Sequence, residues 1–402
     1  MKQLKTALAA GVAALAGTSA NAWELSLGNQ TVNFHGFASQ GFLYSSDYNY
    51  LGSTANGSLS FNEFGLNASI SPFKRTRISA QAFAFDLGDV GDYKPFLDYA
   101  QVEYSFHDTF GVRGGRVRRP GGIYNHIQDV DLARTSVLLP QGIYDARWRD
   151  FSTSVDGGVL FGHIPAGRAG SVSYEAFGGV VSLSEEGGLG RLIQNGLPPA
   201  PIASFDGFDT FVMLGLQLWW ATPVPGLRAG GLLGYVPDLT LHTTVNPPFG
   251  PGSIAQELEV PFTQLSLEYL WKSWTFQAEY YFRTANSQTF IGGTRAASDQ
   301  SHSDAWYVSA AYRFNPWLEV GSYYSEYYAD TSDRSGRNLA FRSDAYQRDT
   351  ALSVRFDIRD WWLIKLEGHY LRGTGLVQDN ARNPVRDDNG WWMFAAKTTL
   401  SF

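Results

Sequence analysis

The chain has 402 residues and a formal charge of −7, an acidic balance that excludes a nucleic-acid binder built on a basic surface. It has no Cys, which excludes the disulfide framework of many small exported domains. Aromatics make up 15%, Gly numbers 43 and charged residues reach only 17%, while no segment after the first residues approaches the roughly 20 apolar residues of a membrane-spanning helix; the composition fits strands that are apolar on one face and polar on the other.

Lys2 and Lys5, an apolar stretch over 7–16 and the small residues Ala20, Asn21 and Ala22 have the layout of a secretory signal. Residues 1–22 are therefore expected to be cleaved, leaving 23–402 as one domain, and losing the two lysines takes the formal charge from −7 to −9. Five segments with a period of two follow, at 32–44, 59–71, 76–85, 97–106 and 110–117. The first starts about ten residues after the cleavage site, which leaves no room for an amino-terminal plug domain. Asp86, Asp89 and Asp92 stand close together but lack the twelve-residue spacing ending in Glu of a calcium loop, and read as a surface turn.

Alternation then stops for about thirty residues, a length at which an irregular segment is functional or disordered. The stretch 118–150 opens with Arg118, Arg119 and Pro120 and carries Tyr124, His126, Asp129, Asp131, Arg134, Leu138, Leu139, Pro140, Tyr144, Asp145, Arg147, Arg149 and Asp150. Apolar anchors mixed with charge argue for a loop that packs against something. The two arginines just before it, Arg113 and Arg116, lie on a strand of which only one face should be wet.

The alternation resumes at 151–163, 171–182, 208–221, 227–235 and 260–271, with 235–259 the least regular part, and Glu185 and Glu186 fall in a loop that reads as a solvated exterior face. Three hairpins then repeat one pattern. In the first, Leu265, Leu267, Tyr269 and Trp271 oppose Gln264, Ser266 and Glu268; past Lys272-Ser273-Trp274, Phe276, Ala278, Tyr280 and Phe282 oppose Gln277, Glu279 and Arg283. The second turns at Asn315-Pro316-Trp317 and the third at Arg359-Asp360-Trp361, and the last strand runs from Trp392 to an aromatic end at Phe402. Tight turns flanked by aromatics thus recur about every 43 to 44 residues, and one more step lands on Phe402. Long Gly-, Asp- and Ser-rich loops such as 330–343 and 373–389 alternate with them. The expected fold is an all-β, transmembrane antiparallel barrel of about 16 strands, short turns on the periplasmic side and long loops outside.

At Phe85-Asp86-Leu87-Gly88-Asp89, at Val112-Arg113-Gly114-Gly115-Arg116-Val117 and over 131–140 the chain resembles the Gram-negative outer-membrane porins, most of all the phosphate-selective and related substrate-specific ones. The resemblance implies an outer-membrane homotrimer surrounded by lipid and lipopolysaccharide, passing small hydrated solutes, with the loop after the fifth strand folded into the lumen as its constriction. It makes Arg113, Arg116, Arg118, Arg119, Tyr124, His126, Asp129, Asp131, Arg134, Asp145, Arg147 and Arg149 candidate constriction residues, whose opposed charges filter solutes by sign. A phosphate-selective member is expected to carry a strong basic ladder, and no Lys cluster stands here. The Arg and Asp residues can equally pair with one another and pin the loop to the wall. Inward Glu103, Glu175, Glu268, Glu279, Glu319 and Glu367 are tolerated by any water-filled lumen.

No Gly-x-Ser-x-Gly elbow, His-Glu-x-x-His or phosphate-binding Gly loop is present, and the His residues at 35, 107, 126, 163, 242, 302 and 369 lack metal-ligand spacing. No enzyme activity and no cofactor are expected. The expected function is passive diffusion of small polar or charged solutes, with an anion preference read from the Arg residues of the loop. Two other readings remain: a barrel enzyme of phospholipase or protease type, whose groups converge from distant strands, and a plugged surface receptor or structural barrel.

Overall fold

The computed structural model describes residues 23–88, 90–197, 202–246, 252–377, 379–387 and 389–402, so the expected signal segment lies outside the described residues. Its strands are β1 (Trp23–Leu27), β2 (Gln30–Ser45), β3 (Phe61–Ile70), β4 (Thr76–Leu87), β5 (Phe96–His107), β6 (Phe110–Arg118), β7 (Ser154–Pro165), β8 (Ser171–Val181), β9 (Ala203–Phe208), β10 (Phe211–Ala221), β11 (Leu227–Val245), β12 (Gly252–Trp271), β13 (Trp274–Ile291), β14 (Thr294–Asn315), β15 (Leu318–Tyr328), β16 (Tyr346–Arg359), β17 (Trp362–Gly373) and β18 (Gly390–Ser401). Sixteen of them, β2–β8 and β10–β18, form a closed antiparallel ring: β8 pairs directly with β10, and β18 returns to β2. Closure leaves no unpaired edge in the hydrocarbon layer.

Each of the sixteen expected strands has its counterpart in the ring. β1 and β9 are accessory: β1 extends the line of β18 along the lower end of β2, and β9 pairs with the upper end of β11. The irregular segment 235–259 belongs to a tall hairpin, since β11 runs on to Val245 and β12 begins at Gly252. Seven connections of two to five residues mark one end of the barrel. The other end carries the long loops, with one exception. β13 and β14 are joined there by Gly292-Gly293, whose φ values of 56° and 80° are what a two-residue hairpin turn of this twist demands.

Alternation sets the outer face. Leu265, Leu267, Tyr280 and Val308 point outward and stay exposed, while Gln264, Ser266, Glu268 and Glu279 point inward and are buried. Near the short turns the Trp274 and Tyr312 rings lie 4.7 Å apart, and toward the loops Trp306 meets Tyr324 at 5.5 Å and Tyr370 meets Trp392 at 5.0 Å. From Trp306 to Phe314 the chain descends about 20 Å at ~3.3 Å per residue and ~40° tilt, which separates two aromatic girdles by roughly one apolar layer.

The inward face is not uniformly wet. Val155, Val159, Phe177, Phe211, Met213, Leu232, Val236, Val260 and Phe262 form a buried apolar patch on the walls of β7–β12, with Phe151 packed on it. Leu43, Phe61, Leu371, Trp391 and Met393 form another, covered by Tyr50, Leu51, Val137, Leu138, Leu376 and Val377 from loops. Loops folded into the lumen supply these inward side chains with partners, which is why the wall can be apolar there.

Candidate functional site

The loop between β6 and β7 leaves the wall at Arg118, crosses the lumen and rejoins the neighbouring strand of the ring. It contains only isolated turns, at Asn125–Ile127, Asp131–Ala133, Ala146–Trp148 and Arg149–Ser152. Its peptide groups therefore need outside partners, and inward side chains of the far wall provide them. Val137 N and Leu138 N donate to the two oxygens of Glu367 at 2.8 and 2.9 Å, and Ile123 N donates to Glu279 at 2.9 Å. Lys365 Nζ donates to Ser136 O at 3.0 Å and Arg355 Nη1 to Leu132 O at 2.7 Å, while Thr135 donates to Glu319. Three of the inward glutamates are thus anchors for the loop.

Charges of the loop close on carboxylates. Asp131 sits against Lys397 at 2.9 Å, Arg134 at 3.1 Å and Lys365 at 3.6 Å, accepts from Thr399 at 2.6 Å, and is 3% exposed. Burial opposes its ionisation, but Lys397, Lys365 and Arg134 outweigh that and hold it well below the usual carboxylate range. Asp129, likewise disfavoured by burial, is held low chiefly by the guanidinium of Arg118, which lies 2.8 Å away and also meets Asp98 at 2.6 Å. Arg149 reaches Asp98 at 3.3 Å, and Arg147 grips Asp145 with contacts of 2.9 and 2.5 Å. Arg113 faces inward between Glu103 and Glu175 at 2.9 and 3.3 Å. His126 lies 3.9 Å from Glu175, and burial lowers its pKa below the ordinary imidazole value, which favours the neutral ring. Tyr124 donates to Gln277 at 2.5 Å.

Arg116 is placed apart from these groups. By strand parity it stands on the outer face of β6, where its Nε and Nη2 meet Asp156 at 2.9 and 3.0 Å. Arg119 is the other exception. It is 9% exposed, donates through Nε to Ser152 O at 2.9 Å and lies 5.7 Å from the centre of the Phe262 ring. Among the described residues no carboxylate comes within ion-pair distance of it, and its Nη1 has no partner. Burial lowers its pKa, but an arginine remains charged in proteins.

Cavities lie on both faces of the loop. One of 270 Å³ lies toward the short turns, between residues 132–136 and Leu270, Thr275, Arg313 and Glu319. One of 90 Å³ lies toward the long loops and includes Arg119, Trp148 and Arg283. Between them Glu279 accepts from Tyr144 at 2.5 Å, Ser266 at 2.5 Å, Tyr307 at 2.9 Å and Gln264 at 3.0 Å. The sequence places Lys365, Glu367 and Glu279 on the inward face, yet gives no sign that they grip the loop, because only ring closure brings β13, β16 and β17 opposite β6.

A closed barrel with a loop packed in its lumen is a fold that the chain shares with solved outer-membrane proteins. No family model and no curated protein sequence matches the chain. Among solved structures it is similar to OmpT, an outer membrane protein of Vibrio cholerae (TM-score 0.55, 14% identity, covering 95% of this chain and 100% of that one). It is also similar to an anion-selective porin from Comamonas acidovorans (0.55, 11%, 93% and 100%) and to the outer membrane channel DcaP of Acinetobacter baumannii (0.52, 10%, 95% and 100%). At these identities the shared property is the fold.

Proposed function

We propose that this protein is a Gram-negative outer-membrane channel, not an enzyme, through which small polar solutes diffuse passively with a preference for anions. The observation that carries the reading is the loop 119–153 crossing a closed sixteen-stranded barrel, with a cavity on each of its faces. The anion preference is supported by the pairing pattern: Arg118, Arg134, Arg147 and Arg149 are neutralised by carboxylates, whereas Arg119 is not. Asp150, the loop carboxylate without a cation partner among the described residues, borders a different cavity beside Gly187 and Gly188, so the field in the cavity that holds Arg119 is positive. A phosphate-specific role has less support, since the buried lysines Lys365 and Lys397 are already committed to Asp131. An enzymatic role for His369 is disfavoured because both its ring nitrogens are taken, by Asp349 at 3.0 Å and Glu367 at 2.9 Å.

Reconstitution of the purified mature protein in planar lipid bilayers is expected to give stepwise conductance, with a reversal potential in a salt gradient of the sign for anion preference. Arg119→Ser is expected to shift that potential toward neutrality. Complete absence of conductance would favour a sealed barrel instead, and a cation-selective potential would remove the anion preference.

A further inference from the structure

The cavity on the loop side of the constriction has a composition that the channel function alone does not require. It holds two arginines without a carboxylate partner among the described residues, Arg119 from the loop and Arg283 from β13. Arg283 donates to Ser303 Oγ at 3.2 Å and lies 5.4 Å from the centre of the Trp148 ring. Around them stand two pairs of aromatic rings. Phe262 and Tyr281 are 6.1 Å apart, Trp148 meets Phe151 edge-on at 6.3 Å, and Arg119 lies over Phe262. Two buried donors of the cavity, Arg119 Nη1 and Trp148 Nε1, have no acceptor. Leaving a buried donor unmade is unfavourable, and a carboxylate is an acceptor that matches a guanidinium fork.

We propose that this cavity is a binding subsite for small aromatic monocarboxylates, the carboxylate held by Arg119 and Arg283 and the ring lying against Trp148, Phe151, Phe262 and Tyr281. The assignment rests on the anion-channel reading and deepens it. Arg119 and Arg283 serve one carboxylate, and the two acidic residues bordering the cavity are engaged elsewhere. Asp145 is closed on Arg147, and Asp304 is tied through Oδ2 to Arg334 at 2.6 Å and to Tyr280 at 3.4 Å. Asp304 stands on the outer face of β14, in register with Phe282 and beside the outward Tyr280, so its carboxylate does not compete for the two arginines. At 90 Å³ the cavity is smaller than the ~150 Å³ that encloses a benzene ring, so it takes the charged head and one edge of the ring while the rest of the solute extends toward the loops.

The test is calorimetric titration of the detergent-solubilised mature protein with benzoate, acetate, terephthalate and inorganic phosphate, run alongside bilayer conductance. Benzoate is expected to bind saturably and about tenfold or more tighter than acetate, a gap of about 1.4 kcal/mol, and terephthalate more weakly than benzoate. Arg283→Gln is expected to weaken benzoate binding at least about tenfold, with Arg283→Lys intermediate, and Trp148→Leu to erase the difference between benzoate and acetate. Arg283 and Trp148 are chosen because neither side chain donates to the loop backbone as Arg119 does to Ser152 O, so these variants test the subsite where Arg119→Ser also loosens the loop. Equal binding of acetate, phosphate and benzoate, or benzoate binding unchanged in both variants, would overturn the assignment. Titration in detergent does not depend on transport: a non-conducting protein that still binds benzoate refutes the channel and keeps the subsite, and a conducting protein that binds none does the reverse.

Discussion

Asp131 shows how one side chain can fix a loop that has almost no secondary structure. It is the carboxylate facing two fully buried lysines, Lys365 and Lys397, and it also holds Arg134 of its own loop. Replacing it leaves buried cations with too little opposite charge, although Lys397 retains Glu63. Removing one partner of a buried ion pair costs about 3–5 kcal/mol, and Asp131→Asn is expected to lower the urea unfolding free energy by about that amount and to open the loop to protease. The exposed pair of Lys94 and Glu186 serves as the control, with Lys94→Ala changing stability by less than about 1 kcal/mol. The pH dependence has a definite sign. Asp131 is depressed below its unfolded value, so its contribution is complete above about pH 4 and is lost only as the solution is acidified below that. Asp131→Asn should therefore flatten the acid limb of the stability curve and leave its alkaline side unchanged in shape. Charge type was legible here and charge partnership was not: the sequence names Asp131 and Arg134 together, but Lys365 and Lys397 lie more than two hundred residues away and reach them only through the barrel.

At the level of the strand, the period of two carried nearly all the information, because a barrel strand between lipid and lumen has one required face. That is why Leu265 to Trp271 and Trp274 to Phe282 could be placed by eye with the right parity. β1 and β9 lie at the rims and are only five and six residues long, so although β1 alternates Trp23, Leu25 and Leu27 with Glu24 and Ser26 neither is long enough to read as a crossing strand, and the helix Gly188–Gly196 sits in a loop where no two-sided demand exists. The apolar inward patches also went unforeseen, since alternation assigns faces without saying what a loop will cover. The closing strand pair illustrates how local chemistry sets a join. Gly36 and Phe402 exchange both backbone hydrogen bonds, at 3.1 and 3.0 Å, and the Phe402 ring occupies the space over Gly36 so closely that an added Cβ would lie 2.5 Å from it. Gly36→Ala should displace the ring and destabilise closure by about 1–3 kcal/mol, the usual effect of overfilling a packed site. Phe402→Ala in the same background should remove the clash and so recover part of the loss. A heat-modifiable band on semi-native gels together with urea midpoints measures both; additive losses would mean that ring and glycine are not coupled.

For the whole molecule, the outer surface is asymmetric in a way that a lone barrel in lipid does not require. Around β10–β18 it presents Leu214, Leu218, Leu233, Leu267, Trp306, Leu352, Leu366 and Trp392, large side chains suited to lipid. On β4–β8 a mid-height band of small outward residues, Ala80, Ala82, Ala84, Ala100, Gly114, Gly158, Ala176 and Gly178, holds the Arg116–Asp156 pair and is bordered by larger ones such as Ile78, Leu97, Val102, Leu160 and Ile164. An arginine on the lipid face near the membrane midplane costs about 2–4 kcal/mol, while small side chains leave a flat surface on which another barrel can approach closely. We therefore propose that copies of the chain pack through this face, as a homotrimer by the porin resemblance, which would shield the ion pair from lipid. Lipid accepts a tryptophan readily and a packed subunit does not, so the same substitution separates the two environments. Ala82→Trp on β4 is expected to convert a trimer to monomers in mild detergent, read as a threefold fall in protein mass by light scattering, with the barrel still heat-modifiable. Leu352→Trp on β16, 58% exposed and on the opposite side of the ring, is expected to leave the mass unchanged. A wild-type protein that is monomeric under the same conditions, or an Ala82→Trp variant that keeps the trimer mass, would assign the β4–β8 face to lipid and leave the outward Arg116–Asp156 pair to neutralise itself there.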